Sequence, residues 1–363
     1  MSEPPGQAHP LAVKLARRIR AEGPMRLSQY MQACLQDPEY GYYRTRADTI
    51  GRSGDFVTAP EISQIFGELL GLWVVASWEA MGAPAEVDII ELGPGRGALM
   101  ADALRAMRVV PAMISAARVI LVEESRPLQA AQQSALTGAP VRVAWTTLDQ
   151  LDATGRPTIV LANEFLDAMP VDQLVRRGAG WAERCVGLTG DGRLGIVELG
   201  VDGVSGGNVP EGSVIERQDW SAVTAALARL SQRAPMSALF VDYGYQGPAL
   251  GDTLQAVRAH RYEPILASPG EADLSCHVDF TAFAKSAQEA SGGRLVADGP
   301  VSQGEFLGRL GAVERASRLM AMNPAHAATI EQGVARLLSP TGMGGHFFAL
   351  GLRSAGLPTT AGM

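Results

Sequence analysis

From residue 87 onward, short apolar runs alternate with segments of helical spacing, and few folds accept that order. The runs are VDIIEL, ARVILVEE, VRVAW, PTIVLANEF and ALFVDYGY, with helices expected at Leu99 to Met107 and Pro127 to Ala135. Continuous apolar runs suit strands covered on both faces, and strand–helix alternation closes as a doubly wound, mostly parallel α/β sheet. After the fourth run the period switches to two. VDQLVRR, WAERCVGL and LGIVELG, separated by Gly-rich turns such as GDGR, read as a β-hairpin insertion over residues 171–215. GRLVADG and HFFALGLR are expected to close the sheet.

Ahead of the sheet, Leu11 to Arg20 has helical spacing and a basic face of Lys14, Arg17, Arg18 and Arg20, read as solvated. Residues 37–60 are dense in Gly, Pro, Asp and aromatics and predict a long irregular loop; such loops are usually functional. Thr58 to Glu61 makes a T-x-x-E capping box before Ile62, Ile65, Phe66, Leu69, Leu70 and Trp73 at helical spacing. The expected division is an N-terminal helical lid over 1–85, an α/β domain over 86–353 carrying the insertion, and a flexible tail over 354–363. Gly203-x-Ser205-x-Gly207 matches a nucleophile-elbow pattern, but it lies among hairpins and reads as a turn.

With 19% charged residues and a net charge of −7, the chain is not suited to general nucleic-acid binding, which needs many Lys and Arg against phosphate. Cys34, Cys185 and Cys276 are far apart with no CxxC pair, so neither a metal site nor a disulfide framework is expected, and a reducing, cytoplasmic setting fits. The apolar stretch Val109 to Val122 is too short to span a membrane and contains Arg118. The sequence leaves a homodimer open.

The first run ends in IIELGPGRGALM, an acid followed by glycines at alternate positions and a helix start. Gly93, Gly95 and Gly97 allow a sharp turn and a close approach of backbone to ligand. The segment also satisfies the dinucleotide pattern G-x-G-x-x-G/A, so the turn alone does not choose a cofactor. Glu91 tilts the choice: a carboxylate there repels a pyrophosphate but suits the amino group and sulfonium of S-adenosyl-L-methionine. Glu123, ending the next strand, is placed to grip a ribose diol in either cofactor.

Several longer segments resemble one family. GDFVTAPEISQIFGELLG, ELGPGRGALMADALR, ANEFLDAMPVDQ, VDYGY, GDTLQAVRAHR, HVDFTAF and QGEFLGRLG, in this order, are similar to the MidA-type S-adenosylmethionine-dependent methyltransferases. The resemblance runs from about Leu11 to Leu352. It implies a class I methyltransferase fold, Rossmann-like, and methylation of an arginine in a protein partner. Mitochondrial members of that family assist respiratory complex I assembly. The chain departs from the family pattern near its C-terminus, where Met343, Gly344, Gly345, His346, Phe347 and Phe348 replace a segment that carries an acid and a lysine in relatives.

In a doubly wound sheet the ligand lies beyond the carboxyl ends of the strands. Asn163 and Glu164 end the fourth run, and Asp167 would join them if a helical turn begins there. Carboxylates hold a guanidinium in bidentate geometry, so Glu164 with Asn163 or Asp167 is the expected catalytic set. The alternative is that Asn163 and Asp167 cap a following helix. Asp242 and Tyr243 end the fifth run and are expected to bind substrate. His277 and Asp279 are either a base pair at the pocket or a histidine beside an N-cap. Asp55, Phe56 and Thr58 would close over the cofactor from the long loop. Two rival functions stay open: an NAD-linked oxidoreductase, and a non-catalytic assembly factor that keeps the fold.

Overall fold

The computed structural model describes residues 9–45, 54, 55, 57–203 and 208–363. Phe56, and Ser205 with Gly207 of the elbow-like turn, lie outside the described residues. The chain forms two compact units: Val57–Asp167, Trp220–Pro248 and Val278–Met363 in one, Met1–Phe56, Ala168–Asp219 and Ala249–His277 in the other.

The larger unit is built on seven main strands. They are β1 (Val87–Leu92), β2 (Ala117–Val122), β3 (Arg142–Thr146), β4 (Thr158–Asn163), β5 (Met236–Tyr245), β6 (Leu295–Ser302) and β7 (Phe347–Ser354). Their order in the sheet is β3-β2-β1-β4-β5-β7-β6, and a two-residue strand, Val278–Asp279, pairs with the end of β5. Strands β1 to β5 run parallel, and β7 runs antiparallel to β5 and β6. All five expected runs and both closing runs are therefore strands. In β1, β2, β4 and β5 the apolar character is continuous because both faces are covered, whereas β3 at the sheet edge is not buried. On one face Ile89, Leu121, Leu161, Leu239, Val241 and Ala349 share a core with Phe66, Leu69, Leu70 and Trp73. On the other, Phe240 meets Phe283 edge-on at 4.8 Å, and Phe283 meets Trp220 at 5.6 Å.

The helix expected behind Thr58 comes in two pieces. Ser63, with extended backbone at φ −154°, separates Ala59–Ile62 from Gln64–Ala80. Thr58 occupies the N-cap position of the first piece, but its side chain makes no capping bond, so the T-x-x-E box does not form. Ser63 caps the second piece instead, its hydroxyl accepting from Ile65 N at 3.3 Å. This long helix lies close against Ala98–Met107: a Cβ at Gly71 would fall 2.5 Å from Ala103 O.

In the smaller unit the insertion strands Val171–Arg177, Gly180–Leu188 and Leu194–Val201 pair antiparallel, as their period-two pattern requires. Helices Pro10–Glu22 and Leu27–Gln36 bury Leu11, Leu15, Ile19, Leu27, Met31 and Leu35 in one core with Val171, Val186, Leu254 and Leu274. The N-terminal helices thus group with the hairpins and not in a region of their own ending at 85, because each needs the other to cover its apolar side. The expected free tail is also tied down. Thr360 is buried and donates from N and Oγ1 to Asp298 Oδ2, at 2.9 and 3.1 Å.

Candidate functional site

Strand order reverses between β1 and β4, and the crevice beyond that switch is where open α/β sheets bind ligands. On the β1 side, Gly93, Gly95 and Gly97 have φ of +62°, +52° and +86°. A side chain at Gly93 would also meet an obstacle, since its Cβ would lie 2.7 Å from Phe165 Cδ2. Gln132, a residue that sequence reasoning missed, ties this turn to the neighbouring acid. It is fully buried, and its Nε2 donates to Gly95 O at 2.8 Å and to Glu123 Oε2 at 3.2 Å. Its Oε1 accepts from Trp145 Nε1 at 2.8 Å. The available signal was its place one helical turn after the apolar Leu128, where a polar side chain must find partners inside. Glu123 Oε1 accepts from Ser125 N at 2.8 Å. Burial raises the Glu123 carboxyl above its ordinary range, against the pull of the bonds from Ser125 and Gln132.

Glu91 is the most unusual group of the turn. It is 3% exposed, and its Oε2 has no hydrogen-bond partner among the described residues. Burial pushes its carboxyl up to about 8. A buried acceptor without a donor costs about 1–3 kcal/mol, so this oxygen calls for a donor from outside the protein. The amino group of S-adenosyl-L-methionine brings N–H donors and a positive charge together, and the residues present fit it.

Beyond β4 the chain does not enter a helix. Glu164 N donates to Val241 O at 2.9 Å, and Glu164 has φ +48°, a left-handed conformation rare outside glycine. Asp242 then accepts on Oδ2 from the N–H groups of Phe165, Leu166 and Asp167 at 3.0, 2.9 and 3.2 Å. These bonds hold the turn, and the helical turn on which the expected placing of Asp167 depends does not form. Asp242, expected at the substrate, thus commits Oδ2 to the backbone of this turn. Its side chain is 1% exposed, and Oδ1 accepts from Tyr243 N. Burial, with the Asp167 and Glu164 carboxylates behind it, raises the Asp242 carboxyl well above the ordinary range. Asp167 is brought to Tyr243 instead, accepting from its hydroxyl at 2.7 Å. The Tyr243 ring meets Phe347 edge-on at 5.5 Å. Glu164 Oε1 accepts from Ala59 N at 3.0 Å and from Asn163 Nδ2 at 3.1 Å, so this carboxylate receives the first N–H of Ala59–Ile62 that Thr58 leaves unmet.

Three remaining candidates are engaged elsewhere. Asp55, in the smaller unit, accepts from Tyr42 Oη at 2.8 Å and from Ala259 N at 2.7 Å. Asp279 is the N-cap of Phe280–Ala290, accepting from Ala282 N at 2.9 Å, which is the capping alternative. His277 is exposed in the smaller unit, its backbone N donating to Thr253 Oγ1 at 2.9 Å.

A doubly wound sheet with an antiparallel β7, a glycine turn below an acid, and a second acid after β2 define a class I methyltransferase. Residues 69–301 match the family described as "Putative S-adenosyl-L-methionine-dependent methyltransferase". The zebrafish Danio rerio protein arginine methyltransferase NDUFAF7, mitochondrial, is 33% identical over 92% of this chain and 84% of its own. The human protein of the same name is 32% identical over 94% and 83%. A Burkholderia thailandensis structure bound to S-adenosyl-homocysteine superposes with a TM-score of 0.85 at 26% identity, covering 99% of this chain and 97% of that one. The chain belongs to this family of methyltransferases, and S-adenosyl-L-methionine is its cofactor. The oxidoreductase alternative falls with that assignment. Among the described residues no helix is long and apolar enough to cross a membrane.

Proposed function

We propose that the chain transfers a methyl group to a guanidinium nitrogen of an arginine in a protein partner. The observation that carries this reading is Glu164, whose left-handed φ sets a carboxylate at the end of β4, beside the switch in strand order. A non-glycine residue holds such a conformation at a cost of about 1–3 kcal/mol, and positions of this kind cluster at active sites. The bound cofactor supplies a methyl group on a positively charged sulfur. Glu91 would hold its amino group and Glu123 its ribose diol. The backbone of Gly93, Gly95 and Gly97 would allow its close approach, with Thr58 at the edge. Glu164, helped by Asp167, would orient the guanidinium and leave electron density on the attacking nitrogen. The methyl group would pass to the nitrogen as the S–C bond breaks, sulfur keeping the electron pair and the nitrogen's lost proton passing to solvent. Tyr243 would line the acceptor's side of the site.

The names of the mitochondrial relatives support arginine as the acceptor. The family resemblance suggests a subunit of a respiratory complex as the partner, met here in the cytoplasm. Glu164→Gln tests the reading, because Gln keeps the shape and loses the charge. Affinity for S-adenosylhomocysteine should hold while methyl transfer from labelled cofactor into extract protein falls by roughly 10², the scale of one electrostatic group. Acid hydrolysis should release the label as methylarginine. Full activity of the variant, or label in another residue type, would remove the proposal.

A further inference from the structure

Register places a short row of side chains on one face of the sheet. Glu91 pairs with Leu161, and Asn163 is two residues further along β4. Asn163 pairs with Val241, Tyr243 is two further along β5, and Tyr243 pairs with Phe347. Successive residues of a strand alternate between faces, so Glu91, Asn163, Tyr243 and Phe347 project from the same side near the carboxyl edge. Two buried oxygens in this row have no donor among the described residues: Glu91 Oε2 and Asn163 Oδ1. The Asn163 amide has one sensible orientation. Its Nδ2 donates to Glu164 Oε1 at 3.1 Å, and a flipped amide would set two oxygens against each other. Oδ1 is therefore left as an acceptor.

We propose that Asn163 Oδ1 accepts a hydrogen bond from the N–H of the nitrogen that is methylated. The proposal rests on the reading of this site as a nitrogen methyltransferase and adds the contact that selects the acceptor. The two orphaned oxygens divide the work by charge. Glu91 can become an anion and suits the cationic amino group of the cofactor. Asn163 is neutral and lies one strand nearer β5, where Tyr243 donates to Asp167. One N–H anchored on Oδ1 leaves the nitrogen only rotation about that bond, which narrows its approach to the line of the S–CH3 bond, the effect of orientation. A carboxylate or thiolate acceptor has no donor to offer and would be repelled by the same oxygen.

Asn163→Ala removes the acceptor oxygen. With labelled cofactor and cell extract, Asn163→Ala should slow transfer by roughly a hundredfold, while calorimetry with S-adenosylhomocysteine shows little change. Unchanged transfer in Asn163→Ala overturns the inference. So does a fall in S-adenosylhomocysteine affinity that matches the fall in rate, because the oxygen then serves the cofactor. Label released as methanol by mild base marks a methyl ester and also overturns it. Label found on a lysine or amide nitrogen, with the same Asn163 dependence, supports the inference and removes arginine alone.

Discussion

Glu91 carries a proton in the free protein at neutral pH, because burial holds its carboxyl near 8 against an ordinary value of 4.5. Between those two values the folded chain keeps a proton that the unfolded chain has released. The stability tied to this group is therefore complete below pH 4.5 and is lost as pH rises through 8. Glu91→Gln should match the parent in thermal stability near pH 4.5 and exceed it near pH 8.5. A cationic amino group favours the carboxylate, so cofactor binding at pH 7 should release a proton. Calorimetry in buffers of different ionisation enthalpy measures that number, and a value of zero would separate Glu91 from the amino group. Glu91 was legible in the sequence because it stands two residues before the first glycine. The part played by Glu164 in holding Ala59 N was not, since nothing local joins residue 164 to residue 59.

At the scale of elements, the glycine turn is held from outside by Gln132 and Phe165, so its shape does not depend on its own side chains. Gly95→Val places a branched side chain at φ +52°, which L-residues with a branched β-carbon disfavour strongly. The fold should survive, since β1 keeps both neighbours, and cofactor binding should be lost. Normal affinity in a folded Gly95→Val protein would displace the cofactor from this turn. Strands β1, β2, β4 and β5 could be read from sequence because they are buried on both faces over most of their length and therefore continuously apolar. The turn after β4 could not: nothing local shows that Asp242, 75 to 77 positions away, takes the N–H groups of Phe165, Leu166 and Asp167. The split at Ser63 escaped for another reason, because the apolar helical spacing continues across it while Ser63 caps the second piece from two residues away.

Over the whole molecule, the chain leaves the larger unit and returns to it, and the smaller unit is gathered from three separate stretches. Periodicity announces a helix or a hairpin but not which distant element will cover it, so this grouping was not readable. Removing residues 1–56 should therefore not leave a trimmed enzyme. Val171, Val186, Leu254 and Leu274 would lose the helices that bury them, and the product should aggregate or expose surface to a hydrophobic dye. A soluble, cooperative 57–363 fragment would show that the hairpins close without them. The same threading sets a schedule during synthesis. Helices Pro10–Glu22 and Leu27–Gln36 leave the ribosome early, yet Leu274 and Cys276 of their core are about 240 residues behind. At roughly 5–20 residues per second that is a wait of some 12–48 seconds with Leu11, Leu15 and Met31 uncovered. These helices are made well before the strands that cover them, and in the interval their apolar stripe is open to whatever holds nascent chains.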